Sequence, residues 1–117
     1  MTKALRGEIW LTKFWPSVGA EITKERPAVV LNVPGVGRLP LSIVVPITAW
    51  KPECEDRQWF VHLEPSQENG LTKPSGADTF QVKSVATERL VTRLGILPEE
   101  TVSEIAATVA VCIGCNL

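Results

Sequence analysis

Three polar side chains stand beside apolar segments, at places where a small β-rich protein can hold a reaction. Glu21 lies in a stretch that leads to Arg26, and Thr48 follows a second aliphatic run. Because proline disfavours the helical conformation at the residue before it, Arg26, which precedes Pro27, is expected at the extended entrance of a strand. A guanidinium fork suits a phosphate, a threonine hydroxyl can hydrogen-bond a phosphate oxygen, and a carboxylate can orient the guanidinium or accept a proton. These residue types offer groups that a phosphate-binding site would use.

Each of these residues also has an ordinary structural interpretation, which the residue types alone leave open. Arg26 could be a solvated charge beside an aliphatic strand, Thr48 a plain β-branched strand residue, and Glu21 an exposed loop carboxylate. The catalytic interpretation of Thr48 depends on Arg26, and that of Glu21 is the least constrained.

Other side chains offer weaker chemistry. His62 is the only histidine and alternates with apolar residues, which is typical of a half-buried strand position and excludes a mechanism with two histidines. The three cysteines, Cys54, Cys112 and Cys115, are an odd number and do not form a four-ligand zinc site, so we interpret them as structural thiols. We therefore expect neither a metal ion nor a cofactor.

Length and charge restrict the classes of protein that remain. A chain of 117 residues is enough for one domain, which we expect to span residues 1–117. Twelve basic and thirteen acidic residues argue against a protein that binds polyanions with its whole surface, but they permit a local basic site. The apolar runs are too short to cross a bilayer, and the N-terminus lacks the apolar region of a signal peptide. We expect a soluble cytoplasmic protein without membrane contact.

Hydrophobic patterning predicts a mostly β fold with one C-terminal helix. Two continuous aliphatic runs, residues 27–31 and 41–45, are typical of central strands buried on both faces. Further strands are expected over residues 7–12, 58–63, 79–85 and, more briefly, 90–94. A helix is expected from Glu99 to about Gly114, because Pro98 suits a helix start and Gly114 can end it. One face of this helix is an apolar stripe expected to pack on the sheet, formed by Val102, Ile105, Ala106, Val109 and Ile113. The predicted architecture is a compact, mostly antiparallel β-barrel with this helix on the sheet.

An ordered series of motifs resembles the MazF/PemK-type toxins and runs nearly from end to end of the chain. The motifs are Arg6-Gly7-Glu8-Ile9-Trp10, Pro16-x-x-Gly19-x-Glu21, Arg26-Pro27-Ala28-Val29-Val30, Val45-Pro46-Ile47-Thr48, Gln81-Val82-Lys83-Ser84-Val85, and Arg89-Leu90 leading to Gly95-x-Leu97. The resemblance implies an SH3-like barrel of the CcdB/MazF toxin type that forms a homodimer. It also implies a sequence-selective endoribonuclease of a type II toxin–antitoxin system.

The resemblance further implies a mechanism and its residues. In this family a ribose 2′-hydroxyl attacks the neighbouring phosphate of single-stranded RNA without a metal, leaving a 2′,3′-cyclic phosphate and a 5′-hydroxyl. The functional arginine falls on Arg26, which we expect to stabilise charge first and to act as a general acid second. The functional threonine falls on Thr48, and an acidic helper falls on Glu21. An antitoxin with an acidic tail is the implied inhibitor, and that would suit a basic site on a near-neutral protein.

Further residues are predicted to contact RNA. Lys73, Lys83 and Arg89 could position phosphates, and Trp15 and Trp50 could stack on unpaired bases. Two departures from the family pattern matter. The first is Trp15, which stands where many relatives have an acidic residue. The PemK branch places an arginine and an aspartate where this chain has Asp78 and Phe80, so that branch's auxiliary site is not expected.

Two other functions compete with RNA cleavage. One is a non-enzymatic toxin that binds a protein target, as CcdB binds DNA gyrase on a similar fold. The tryptophan-containing tail of that toxin is absent from Ile113 to Leu117. The other is a catalytically silent relative that binds only an antitoxin or DNA, which the presence of Glu21, Arg26 and Thr48 disfavours.

Overall fold

β-branched and aliphatic segments separated by turn-forming residues build a sheet that a single helix covers. The computed structural model describes residues 4–16, 18–21, 24–37 and 39–115. Within these ranges the strands are β1 (Glu8–Lys13), β2 (Glu25–Val30), β3 (Leu41–Ala49), β4 (Phe60–Leu63), β5 (Ser75–Asp78), β6 (Lys83–Ala86) and β7 (Leu90–Ile96). The helix is α1 (Glu99–Cys112), and short 3-10 turns cover Pro52–Asp56, Thr79–Gln81 and Thr87–Arg89.

The strands form one antiparallel sheet in the order β4-β5-β3-β2-β1-β7, with β6 paired to β3 outside this path. The predicted class, mostly β with one C-terminal helix, is therefore confirmed. The sheet is not closed, because among the described residues no ladder joins β4 to β7. The predicted barrel is thus an open sheet rather than a ring of hydrogen-bonded strands.

β3 is the longest strand and pairs with three others. Residues 41–44 pair with β6, residues 44–46 with β2, and residues 47–49 with β5. Val44 pairs with both Val30 and Lys83, so β2 and β6 lie on opposite edges of β3. The prediction ended this strand at residue 45, four residues before its observed end at Ala49.

The predicted single strand over residues 79–85 is wrong, because a 3-10 turn at Thr79–Gln81 separates β5 from β6. Ala77 of β5 pairs with Ile47, and Lys83 of β6 pairs with Val44. Six residue steps thus separate the two paired positions on the β5–β6 segment, but only three separate their partners on β3. Pro46, which has no N–H group to give to a ladder, lies in this gap of β3. The Thr79 hydroxyl donates to the carbonyl of Trp59 over 2.6 Å and holds the turn in place.

The core consists of two apolar clusters. One contains Val29, Val45 and Ile47 together with the helix residues Val102 and Ile105. The other contains Ala28, Val30 and Val44 with three further side chains, those of Phe14, Val85 and Leu90. Since alternate residues of β2 and β3 enter different clusters, the central strands are buried on both faces, as their aliphatic runs predicted.

The predicted helix is confirmed, and Pro98 precedes its first turn. Val102 and Ile105 are buried and Val109 packs against the same cluster, so most of the predicted apolar stripe faces the core. Ile113 lies beyond the helix end and is 74% exposed, so its inclusion in that stripe was wrong. In the described part of the chain no helix has the length and apolarity needed to span a membrane.

Gly70 and Gly95 allow the backbone of segment 68–70 to pack directly on the backbone of β7. A Cβ atom on Gly70 would lie 2.2 Å from the carbonyl oxygen of Leu94, and one on Gly95 would lie 2.3 Å from that of Glu68. The N–H of Ile96 donates to the same Glu68 carbonyl over 2.9 Å. Gly70 also has a positive φ of 70°, which favours glycine. Segment 68–70 therefore fits against β7 only without side chains at these positions.

Glu8 links the start of the sheet to β7 and sets a pH dependence. Its buried carboxylate accepts from the N–H of Leu5, the indole of Trp10 and the guanidinium of Arg93, over 2.8, 3.1 and 2.8 Å. Burial alone raises the pKa of Glu8, but these hydrogen bonds and the charge of Arg93 bring it below its ordinary value of 4.5. The ionised carboxylate therefore stabilises the fold above pH 4.5, and this contribution is lost as the pH falls through the lowered pKa.

We expect Glu8→Gln to lower the free energy of unfolding at pH 7 by about 1–2 kcal/mol, because an amide accepts these bonds more weakly. The difference from wild type should shrink as the pH falls below 4.5. Urea unfolding at pH 7 and at pH 3.5 measures it, with exposed Glu88→Gln as the matched control. An equal loss at both pH values would contradict this account of Glu8.

Candidate functional site

The register of β2 and β3 places Arg26 and Thr48 side by side. Ala28 pairs with Pro46, and two residues outward from this pair on each strand are Arg26 and Thr48. Alternation along a strand puts both side chains on the face of Ala28 and Pro46. Two clefts open at this point, and Arg26 and Thr48 line both. The structure thus brings together the two residues on which the sequence-based site mainly depended.

The first cleft, here called the Lys73 cleft, has a volume of about 270 Å³. Besides Arg26 and Thr48 it is lined by Lys73, Leu71 and Leu94, among others. Lys73 was predicted to position an RNA phosphate, and it is the predicted RNA-contact lysine that shares a cleft with Arg26.

The second cleft, here called the Asp78 cleft, has a volume of about 320 Å³. Arg26 and Thr48 form one side, and Arg57, Phe60 and Asp78 are among the other lining residues. The two clefts therefore extend in different directions from one arginine and threonine.

The Arg26 side chain makes no hydrogen bond or ion pair with the described residues. Its Nε is buried and has no hydrogen-bond partner among the described residues. The ion pairs among the described residues join side chains other than that of Arg26. Because a buried donor without a partner is costly, a ligand that brings an acceptor would stabilise this arrangement.

Thr48 pairs with Gly76 of β5, next to a group of aromatic rings. A Cβ on Gly76 would lie 3.0 Å from Trp50 and from Phe60, so these rings cover the glycine. Trp50 makes edge contacts with Phe60 and His62 at centroid distances of 6.5 and 4.5 Å. Trp50 and His62 do not line either cleft. Stacking of Trp50 on RNA stays a prediction, and in this structure the ring packs within the aromatic group.

Glu21 lies elsewhere. Its Oε1 accepts from the N–H of Val18 over 2.9 Å, and its Oε2 is 3.9 Å from the ammonium of Lys83. It does not line either cleft with Arg26. The structure therefore does not group Glu21 with Arg26 and Thr48, and its role as a helper stays a prediction.

Lys83 and Arg89 line a separate basic cleft of about 330 Å³, together with Lys13 and Phe14. The Arg89 guanidinium donates to the carbonyls of Lys13 and Trp15. Trp15 is 45% exposed, and the Lys13 ammonium lies 5.7 Å from the centre of its ring. Three residues predicted to contact RNA, Lys83, Arg89 and Trp15, thus lie at or near this basic cleft. It shares no lining residue with the Lys73 cleft or the Asp78 cleft.

Asp78 is the residue that the sequence-based site missed. Burial raises its pKa above the ordinary 3.8, although a hydrogen bond from the Gln81 amide, nearby backbone N–H groups and the charge of Arg57 act in the opposite direction. Gln81 occupies Oδ2 over 2.9 Å, whereas Oδ1 is buried and without a hydrogen-bond partner among the described residues. The sequence signal was an acidic residue at the end of a small-residue strand, Ser75–Asp78, every residue of which is buried.

Metal chemistry has no visible support in the described ranges, where no group of three or more His, Cys, Asp or Glu side chains could hold an ion. The three cysteines are free, with Cys54 buried, Cys112 half-buried and Cys115 exposed. The chemistry that the Arg26 clefts can support is binding of an anion by a guanidinium and a hydroxyl.

Known proteins share both sequence and fold with this chain. Residues 5–113 match the family model of PemK-like, MazF-like toxins of type II toxin-antitoxin systems. The endoribonuclease MazF9 of Mycobacterium tuberculosis is 33% identical over 97 residues, which cover 77% of this chain and 79% of that protein. A crystal structure of MazF from Deinococcus radiodurans has a TM-score of 0.77 at 21% identity and covers 94% of this chain and 96% of its own. An endoribonuclease in complex with its cognate antitoxin, from Mycobacterial species, has a TM-score of 0.74 at 16% identity and covers 98% and 99%.

Proposed function

The chain belongs to the PemK-like, MazF-like toxins of type II toxin-antitoxin systems, and from this premise we propose that Arg26 and Thr48 cleave single-stranded RNA without a metal ion. The family and the endoribonuclease relative make the chain an endoribonuclease toxin. The proposal concerns how its residues perform the reaction. The observation that carries it is the buried Nε of Arg26, which has no partner among the described residues and belongs to a side chain that lines a cleft together with Thr48.

The reaction is an in-line displacement at phosphorus. The ribose 2′-oxygen loses its proton and forms a bond to phosphorus, and the bond from phosphorus to the 5′-oxygen breaks. The leaving 5′-oxygen takes up a proton. The products are a 2′,3′-cyclic phosphate and a 5′-hydroxyl, and no metal ion enters this balance.

Arg26 has the main role in this scheme. Its guanidinium offers a fork of donors to the phosphoryl oxygens, on which charge accumulates during the displacement. A half-buried position strengthens that interaction because less water screens it. Thr48 adds a hydroxyl donor to a non-bridging oxygen. Lys73, in the adjoining cleft, positions the next phosphate.

The partners follow from the same family. Antitoxin complexes among the structural neighbours support a cognate antitoxin for this chain. An acidic tail would complement the four cationic side chains of the two clefts, Arg26, Lys51, Arg57 and Lys73. We further propose a homodimer that acts in the cytoplasm, where messenger RNA is available.

The test is cleavage of a single-stranded RNA by the purified protein in excess chelator. We expect cleavage at defined sequences, with 2′,3′-cyclic phosphate and 5′-hydroxyl ends identified by mass spectrometry. A single 2′-deoxy substitution at a cleavage site should abolish cleavage there, because the nucleophile is missing. A requirement for added metal, or 5′-phosphate ends, would contradict the mechanism. A protein that cleaves no RNA but binds an antitoxin would be a silent relative.

A further inference from the structure

Two buried side-chain nitrogen or oxygen atoms in the described part of the chain lack a hydrogen-bond partner. Both belong to residues that line the Asp78 cleft. They are Nε of Arg26, a donor, and Oδ1 of Asp78, an acceptor. Asp78 is only 6% exposed. Native proteins pair nearly all such atoms, so two unpaired atoms in one cleft indicate a ligand that presents an acceptor and a donor together.

A phosphate can satisfy only one of them. Its oxygens accept hydrogen bonds from Arg26, whereas Asp78 needs an N–H or O–H group. The other lining residues indicate which part of a nucleotide provides it. Phe60 contributes an aromatic ring, a surface on which unpaired bases stack. The second part of the ligand is therefore a nucleobase.

The charges of the cleft select among the four bases. Asp78 offers an acceptor, and Arg57, close enough to influence its titration, offers donors. Guanine alone carries two neighbouring N–H groups beside a carbonyl on one edge, and the contact of arginine with guanine O6 is a common one in nucleic-acid recognition. The cleft volume of about 320 Å³ is large enough for a purine.

We propose that the Asp78 cleft is a guanine subsite, in which Oδ1 of Asp78 accepts from the N1–H or N2–H of a guanine next to the cleaved phosphate and Arg57 donates to its O6. This inference rests on the proposed function and names part of its sequence selectivity. The Gln81 amide, bound to Oδ2, holds the carboxylate in orientation. Asp78 thereby acts on the choice of RNA and not on the bonds that break.

The experiment measures binding separately from cleavage. The probes are four fluorescent pentanucleotides with 2′-O-methyl riboses, uridine at four positions and A, C, G or U in the centre. The methyl groups remove the nucleophile, so binding is measured without cleavage. We expect the wild type to bind the guanine probe about tenfold more tightly than the adenine probe. Replacing guanine by hypoxanthine, which lacks the 2-amino group, should weaken binding only if N2–H is the donor.

Asp78→Asn should remove this preference. Because Gln81 donates to one oxygen of the carboxylate, the asparagine oxygen is expected to take that place and its NH₂ the position of Oδ1. A donor then faces the N–H groups of guanine. Glu53→Gln, which makes the same change of charge in the same cleft, should keep the preference.

The stability of the variant provides its folding control. Since burial raises the pKa of Asp78, the ionised carboxylate weakens the fold as the pH rises from 3.8 through the raised pKa. Asp78→Asn should therefore be at least as stable as wild type at pH 7, and the two should converge at pH 3.

The outcomes separate the alternatives. Loss of the guanine preference in Asp78→Asn, with Glu53→Gln unchanged, supports the subsite. A wild type without guanine preference overturns it, and so does an Asp78→Asn variant that keeps the preference. If Asp78→Asn lost cleavage of every RNA sequence but kept the base preference of the wild type, Asp78 would be assigned to proton transfer. That result would also overturn the subsite. Failure of the wild type to cleave RNA bears on the proposed function and leaves the binding result to be judged by itself.

Discussion

Arg26→Ala lowers the rate of RNA cleavage on the order of 10²-fold or more, because it removes the donors that face the charge developing on the phosphate. The loss should appear mainly in kcat, since the charge is greatest in the transition state. The fold should be affected little, because the described residues give the Arg26 side chain no hydrogen-bond or ion-pair partner. Single-turnover cleavage of a saturating RNA, with thermal unfolding alongside, measures both.

Two variants separate geometry from charge. Arg26→Lys keeps the charge but loses the planar fork, so we expect recovery of only a small part of the rate. Arg89→Ala makes the same change of net charge in the separate basic cleft, where it should reduce the rate less than about tenfold. Equal losses for Arg26→Ala and Arg89→Ala would show that overall charge matters and that Arg26 has no special position. Thr48→Val should add little further loss in an Arg26→Ala background if the two residues act on one phosphate.

Gly70→Ala is the change expected to destabilise the fold most. The new methyl group would lie 2.2 Å from the Leu94 carbonyl oxygen, and the positive φ of 70° disfavours any side chain. We expect a loss of roughly 2–5 kcal/mol, about 1–2 of it from the backbone conformation and the rest from overpacking. Urea unfolding at pH 7 measures this loss.

Gly35→Ala is the matched control for this experiment. Gly35 has a similar φ of 84°, but a Cβ there would meet nothing within 4 Å. Its loss should be limited to about 1–2 kcal/mol, the backbone part alone. Similar losses at both positions would contradict the close approach of Gly70 to β7. Because Gly70 and Leu94 both line the Lys73 cleft, the remaining folded Gly70→Ala protein should also cleave RNA more slowly.

The elements that depend on local pattern could be predicted from the sequence. Aliphatic runs located the central strands, and Pro98 and the acidic first turn located the helix. The meeting of Arg26 and Thr48 followed from a resemblance between ordered motifs, and the register of β2 and β3 agrees with it. Their catalytic roles await the variants above.

What could not be predicted depends on contacts between distant segments. The three-residue offset at Thr79–Gln81 arises because β5 and β6 share an edge of β3, which no pattern within residues 79–85 reveals. Asp78 was missed for the same kind of reason. It lies on β5, which is buried between β4 and β3, and this position depends on strands that are distant in the sequence. The pairing of Glu21 with Lys83 likewise joins residues far apart in the chain.

Under the proposed mechanism, the position of Thr48 on β3 links the reaction to the integrity of the sheet. A catalytic group on a mobile loop can be displaced while the rest of a protein stays intact. Thr48 instead lies on β3, where it pairs with Gly76 of β5, and the same strand is held further along by β2 and β6. Moving Thr48 out of place therefore breaks hydrogen bonds of the ladder between β3 and β5. Under the proposed mechanism we expect restraint of the activity from outside the chain, through a partner that covers the clefts or through the amount of protein made.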